Sequence, residues 1–482
     1  MNTFREIFER GLLEYSLILF LTYIGLAVIS IFHIMAYLKK NNFVDFNIIL
    51  KSPLAPSVSL IVPCYNEGKN IVDNVNSLLS LHYGKLELII VNDGSSDDSM
   101  EKLINSFGLQ KSEMNVKQQL PTNPIVNIYK STNPSYNNLI IVDKVRGGKS
   151  DALNVGINVS SHKLISCIDA DCIVEKDAIL KMVKPFIENT KSKVIAAGGV
   201  IHIANSCEIE NGKIVKVHVP ENFLARAQLL EYIRSFLLGR MAWSKLNGLL
   251  IISGAFGMFD KDIVIKAGGY SLNTVGEDME LVVKMRKYMH SIDKSYKVEY
   301  IPDPLCWTEV PVTYKILGRQ RNRWSRGLIE TLGFHKELFF NRKHGILGLL
   351  SYPYWILFEW LGSIVEFFGW VYFAIIVTLT TDRWVFFLLL LGAVYSFSLM
   401  FSMFAILMEE VSYNRYKSKK DIMSLILTAV IEPVFFHPFI VYWSLQGNWD
   451  IMFGKNEWGV MIKEGFSKTK IITNLNDIPA EA

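Results

Sequence analysis

Residues 15–38 read YSLILFLTYIGLAVISIFHIMAYL, without one Asp, Glu, Lys or Arg. Such a run meets the ~20 residues that a helix needs to cross a bilayer, and it is too long for the core of a signal peptide. No small-residue cleavage site follows it. Lys39 and Lys40 do, and by the positive-inside rule they put that end in the cytoplasm. This segment limits the chain more than any other feature, because lipid admits only backbone that satisfies its own polar groups.

Three further apolar stretches follow residue 345. Residues 345–380 exceed one span and hold Pro353, Glu359 and Glu366, so an interfacial or kinked entry followed by a crossing is expected. Residues 384–408 read as a cleaner span. The loop beyond carries Arg415, Lys417, Lys419 and Lys420, again a cytoplasmic signature. Residues 422–445 are interrupted by Glu432-Pro433 and His437-Pro438. Such groups are tolerated where a segment is broken, interfacial or lines a cavity, and whether it crosses is left open.

The middle of the chain has a globular composition. Fifty basic minus 46 acidic residues leave a formal charge of +4, which removes the net-charge argument for nucleic-acid binding. Five cysteines without CxxC spacing argue against a disulfide scaffold or a structural zinc site. Short apolar runs at 57–63, 85–93, 139–142, 164–169 and 194–203 alternate with stretches of helical spacing. That pattern predicts an α/β domain with a mostly parallel sheet covered on both faces. The expected organisation is a membrane segment over 1–40, the α/β domain over 54–312, interfacial helices over 313–344, a membrane region over 345–447 and a tail over 448–482.

In a sheet of this kind ligands sit outside the carboxyl ends of the strands. The first strand ends in Pro63-Cys64-Tyr65-Asn66-Glu67 and the second in Asn92-Asp93-Gly94-Ser95-Ser96-Asp97-Asp98. Arg146-Gly147-Gly148-Lys149 and Asp169-Ala170-Asp171 follow later strands. Taken singly each has an ordinary explanation. NDGSSDD is a good turn and helix cap, RGGK lacks the Walker spacing, and DAD reads equally as two solvated acids.

The ordered set is more specific. Asp93 in VNDGSSDD, the DxD of Asp169 and Asp171, Asp278 in Gly276-Glu277-Asp278, and Gln320-Arg321-Asn322-Arg323-Trp324 as Q(Q/R)xRW resemble family-2 glycosyltransferases with a GT-A fold. Within that family they are similar to the membrane-embedded synthases of cellulose, chitin, hyaluronan and poly-N-acetylglucosamine. The likeness covers about residues 55–330. GED replaces the TED of many members and keeps the carboxylate. The FxVTxK gating motif of cellulose synthases is absent.

The resemblance implies an inverting, processive enzyme. It would use a UDP-sugar, with glucose or N-acetylglucosamine as the sugar, to extend a growing β-linked glycan and export it across a bacterial cytoplasmic membrane. Accessory export proteins are compatible with that activity. Transfer of a single sugar to a lipid carrier and an inactive membrane scaffold are the alternatives. Mg²⁺ or Mn²⁺ would be held by Asp171 and Asp169, with Asp169 also near the ribose or diphosphate. Tyr65, Glu67, Asp93, Lys149 and Arg323 would bind the nucleotide, and Asp278 would be the general base. Trp324, Gln320, Ser253 and Gly254 would meet the acceptor. Ser253-Gly254 also reads as a plain turn. The arginines around Arg323 also suit a basic helix on a membrane surface. Trp458, Gly459 and Lys463 match a gating loop of hyaluronan-type synthases, or an aromatic and a lysine at the membrane interface.

Overall fold

The structure, a computed structural model, describes residues 2–41, 46–189, 191–210, 212–379 and 384–454. Among them twelve strands form: β1 (Val58–Cys64), β2 (Leu86–Asn92), β3 (Leu109–Lys111), β4 (Ile125–Ser131), β5 (Leu139–Lys144), β6 (Leu164–Ile168), β7 (Cys172–Val174), β8 (Lys193–Ile203), β9 (Glu208–Glu210), β10 (Lys213–Lys216), β11 (Phe256–Asp260) and β12 (Tyr296–Thr308). Ten of them make one sheet in the order β3-β4-β5-β2-β1-β6-β11-β8-β12-β7, and β9 and β10 pair apart. Strands β3, β5, β2, β1, β6, β8 and β12 run one way, while β4, β11 and β7 run the other.

The central strands are continuous apolar runs because both faces are covered. Leu60, Ile61, Val62, Ile89, Ile90, Ile140 and Ile141 are all buried, each contributing about 1.5–3 kcal/mol by leaving water. Helix Lys149–Val159 lies close against this sheet. A Cβ at its Gly156 would come within 2.3 Å of Ile61 Cγ2, so only glycine fits there. Register brings the strand ends level, with Cys64 opposite Asn92 and Asn92 opposite Asp143.

Among the described residues three helices are long and apolar enough to cross a membrane: Arg5–Asn41, Leu347–Ile376 and Trp384–Tyr413. Where an interfacial or kinked entry is expected after residue 345, wide-turn segments Leu347–Ser351 and Trp355–Trp360 flank Tyr352–Tyr354 and run on into the regular helix Leu361–Leu379. The interrupted segment is two helices, Lys419–Phe435 and His437–Met452, bent by 47° at the break. Its ionisable groups are paired, as intramembrane charges generally are. Glu432 takes a bidentate contact from Arg234 at 3.1 Å on each oxygen, and His437 meets Glu366 at 3.0 Å.

The helix Tyr314–Phe334 joins the two regions. Its Gly318 lies under Trp443, and Gly447 of the last helix lies under its Ser325. Asn322 donates to Asp450 at 2.8 Å and Ser325 to the Ser444 carbonyl at 3.1 Å. Small residues at these crossings let the backbones approach closely.

Candidate active site

Asp93 directly follows β2 and is buried. One oxygen takes the Lys144 ammonium at 2.6 Å and the Gly147 N–H at 2.8 Å, and the other takes the Gly148 N–H at 2.8 Å. Lys144 is enclosed completely and also meets Asp151 at 2.6 Å. Asp93 therefore shapes the Gly147-Gly148 loop, and its carboxylate is engaged by protein donors on both oxygens. Gly148 has φ +89°, a conformation that favours glycine. Sequence reading passed over Lys144 and Asp151. Lys144 stands two residues beyond the apolar run LIIV, where a lysine reads as solvated.

The loop after β1 is tied to the loop after β2. The Asn66 side chain accepts the Ser96 N–H at 2.8 Å, and Asp97 accepts the Gly68 N–H at 2.9 Å. Tyr65 is exposed, with the Arg146 guanidinium 4.3 Å from its ring centroid. Glu67 stands in the same loop, its backbone N–H donating to Ser99 at 3.0 Å.

Lys149 starts the helix behind the glycine loop and reaches Asp169 at 2.5 Å and Glu277 at 3.7 Å. Burial works against its charge, but Asp169 and Glu277 outweigh it and raise its pKa above the ordinary lysine value. Burial also raises the Glu277 pKa above the usual carboxylate range, a shift that Lys149 opposes and Asp278 reinforces. Arg323 is near enough for its charge to act on both groups.

Asp278 lies in the first turn of helix Glu277–Ser291. Its carboxylate accepts the N–H groups of Gly254 at 3.1 Å and Met279 at 2.9 Å. Gly254 is wedged between two site groups, since a Cβ there would stand 3.2 Å from Lys149 Nζ and 3.8 Å from an Asp278 oxygen. Ser253 precedes it and accepts the Phe256 N–H through its carbonyl. Lys149, Asp169, Gly254, Glu277, Asp278 and Arg323 thus gather at one site.

The helix bearing Gln320, Arg323 and Trp324 reaches this site through glycine. A Cβ on Gly276 would sit 2.7 Å from the Cα and the carbonyl oxygen of Gly327. A side chain on either glycine would push the two backbones apart. Trp324 is 40% exposed, and the Gln320 carbonyl oxygen is buried with no hydrogen-bond partner among the described residues. Of the four arginines, Arg321 and Arg326 are buried and Arg319 is exposed. A lipid-facing basic stripe would expose them together. Trp458, Gly459 and Lys463 lie outside the described residues.

Among the described residues no three His, Cys, Asp or Glu side chains converge as a metal cage. Asp169 and Asp171 at the end of β6 supply two carboxylates. One or two carboxylates completed by phosphate oxygens is the set that Mg²⁺ takes, and Mn²⁺ shares the preference for oxygen. The pair therefore fits a cation that arrives with its nucleotide.

Charged groups gathered beyond the carboxyl ends of parallel strands stand where such sheets bind their ligands. The profile of the family described as "Glycosyltransferase like family 2" matches residues 55–327, more than half of the 482 residues. The chain belongs to that family and is a glycosyltransferase of the GT-A type. It is 30% identical over 319 residues to a poly-β-1,6-N-acetyl-D-glucosamine synthase of Staphylococcus epidermidis, covering 66% of this chain and 63% of that protein. A synthase of the same name from Staphylococcus aureus strain COL is 28% identical over 320 residues, with 66% and 63% covered. The chain thus spans a little under two thirds of these relatives' length. Among solved structures it is similar to a mannosyltransferase from Pyrobaculum calidifontis in complex with GDP-Man and Mn²⁺. There the TM-score is 0.49 at 18% identity, over 86% of this chain and 99% of that one.

Proposed function

We propose that this protein builds a β-linked polysaccharide from a UDP-sugar, with N-acetylglucosamine the favoured sugar, and passes it through its membrane region. The observation that carries this reading is the cluster of Lys149, Asp169, Glu277, Asp278 and Arg323, which converge from separate elements. The poly-N-acetylglucosamine synthases among its relatives support the choice of sugar.

Tyr65 offers a flat face to the base, and the Gly147-Gly148 loop, held by Asp93, sets the start of the helix that carries Lys149. Asp171 and Asp169 would hold Mg²⁺ or Mn²⁺, which when bound neutralises charge gathering on the departing diphosphate. Lys149 and Arg323 add fixed positive charge beside the same group. Asp278 takes the proton of the attacking hydroxyl. Each of its oxygens already accepts one backbone N–H, which leaves lone pairs for that proton in a fixed orientation. One base without a nucleophile implies inversion, so an α-linked donor gives a β-linked product. Trp324 supplies an apolar face for the acceptor ring.

Both basic helix ends touch the catalytic domain. Lys40 pairs with Glu188 at 2.7 Å and Arg415 lies 3.7 Å from Glu175. With the positive-inside rule, this supports a cytoplasmic catalytic domain in a bacterial membrane.

The test is incubation of purified protein in detergent with a panel of UDP-sugars, reading UDP release and product size. UDP release with a long product from UDP-N-acetylglucosamine is expected. Single-sugar products would replace the polymerase reading with lipid-carrier transfer. No nucleotide release from any donor would refute both.

A further inference from the structure

Arg321 is the residue of Gln320–Trp324 that helical spacing points away from Arg319, Arg323 and Arg326. It is 5% exposed, and both of its terminal nitrogens donate to Glu231, each at 2.7 Å. That fork is the strong bidentate geometry of a guanidinium on a carboxylate. The same guanidinium lies 4.4 Å from the Trp324 ring centroid. Arg321 and Trp324 are three residues apart on one helix, the spacing at which side chains stack. Glu231 comes from a separate helix, Phe223–Ile233, ninety positions away in sequence.

One face of the indole is therefore occupied by a clamped cation. The residue keeps 40% of its surface exposed. A tryptophan with one open face would rotate about two side-chain bonds unless something held it, and a cation–π contact supplies that hold. We propose that Arg321, locked by Glu231, is a positioning residue that fixes Trp324 as a one-sided platform for the acceptor sugar. The proposal rests on the reading of Trp324 as the acceptor-facing residue. Lysine could keep the charge and one bond to Glu231, but it has no flat fork to lie along the ring.

The experiment measures acceptor and donor KM separately, with a short β-linked N-acetylglucosamine oligosaccharide as acceptor and UDP-N-acetylglucosamine as donor. Arg321→Lys should raise acceptor KM by about two- to thirtyfold, the span of cation–π contacts from exposed to desolvated sites. Donor KM, and kcat at saturating acceptor, should stay near wild type. Glu231→Gln, which keeps hydrogen-bonding groups, should shift acceptor KM in the same direction. In a Trp324→Ala background, Arg321→Lys should add nothing, because the two residues act as one unit.

If Arg321→Lys leaves acceptor KM unchanged while Trp324→Ala raises it, the positioning role is overturned and the acceptor platform stands. If Trp324→Ala leaves acceptor KM unchanged, the platform itself fails. A fall in melting temperature with donor and acceptor KM changed alike would make Arg321 a structural residue only and would contradict the proposal.

Discussion

The Asp278 carboxylate accepts the Gly254 N–H at 3.1 Å through one oxygen, while its other oxygen accepts the Met279 N–H at 2.9 Å. A residue serving only as a favourable charge at a helix start needs no contact with a second segment. The bond to Gly254 ties this acid to the stretch that precedes β11 and fixes the carboxylate between two backbone donors.

That contact makes Gly254 sensitive to the smallest enlargement. Gly254→Ala would put a methyl 3.2 Å from Lys149 Nζ, a flexible side chain that can shift. Melting temperature should change little, while turnover falls because the methyl displaces the Lys149 ammonium from its place beside Asp169. Wild-type turnover in this variant would show that the site tolerates displacement of Lys149.

Gly276→Thr restores the residue common among the synthases that this sequence resembles, and here it should be harmful. The new Cβ would meet the Gly327 backbone at 2.7 Å, and backbone cannot rotate away. Overpacking of this kind typically costs about 1–3 kcal/mol. It should lower both melting temperature and activity by moving the Trp324 helix off the site. A threonine variant as stable and active as wild type would refute the glycine contact.

Lys144→Met strands two buried acids, Asp93 and Asp151, each 2.6 Å from the ammonium it removes. Breaking a buried ion pair from one side commonly costs about 3–5 kcal/mol. A marked drop in melting temperature in detergent is expected, with donor binding weakened as the Gly147-Gly148 loop loosens. An unchanged melting temperature would contradict the account of this cluster.

Asp97 carries a pH dependence. Partial burial opposes its charge, yet the Ser99 hydroxyl and the N–H groups of Gly68 and Ser99 bring its pKa below the ordinary aspartate value. A depressed acid contributes stability above its unfolded pKa and loses that contribution as pH falls through its folded pKa. The loss should begin near pH 4, the ordinary aspartate value, and grow on further acidification. Asp97→Asn should flatten that acid limb of the melting curve. An unaltered limb would show that Asp97 does not hold the two loops together.

How far the sequence could be read depended on the range of each interaction. Strands β1, β2, β5 and β6 were legible because strands buried on both faces show as uninterrupted apolar runs. The antiparallel β11 and the short β7 were not, since five and three residues carry too little pattern. Helical spacing turned Arg321 away from its neighbours, but its partner Glu231 is ninety positions upstream, beyond any local pattern. The same holds for Gly276 against Gly327. Lys144 was missed for a different reason: a lysine at a strand end is usually solvated, and only the fold encloses it between two acids.

The account depends most on Asp278 as the group that takes the acceptor's proton. Asp278→Asn keeps the shape and one acceptor oxygen but removes the basicity. Positioned proton transfer contributes roughly 10²–10⁴-fold, so turnover should fall by about that factor while metal-dependent UDP binding stays intact. Asp171→Asn should give the reverse, weak metal-dependent UDP binding, and EDTA should abolish turnover until Mg²⁺ or Mn²⁺ is returned. An Asp278→Asn protein that turns over near the normal rate would contradict the mechanism.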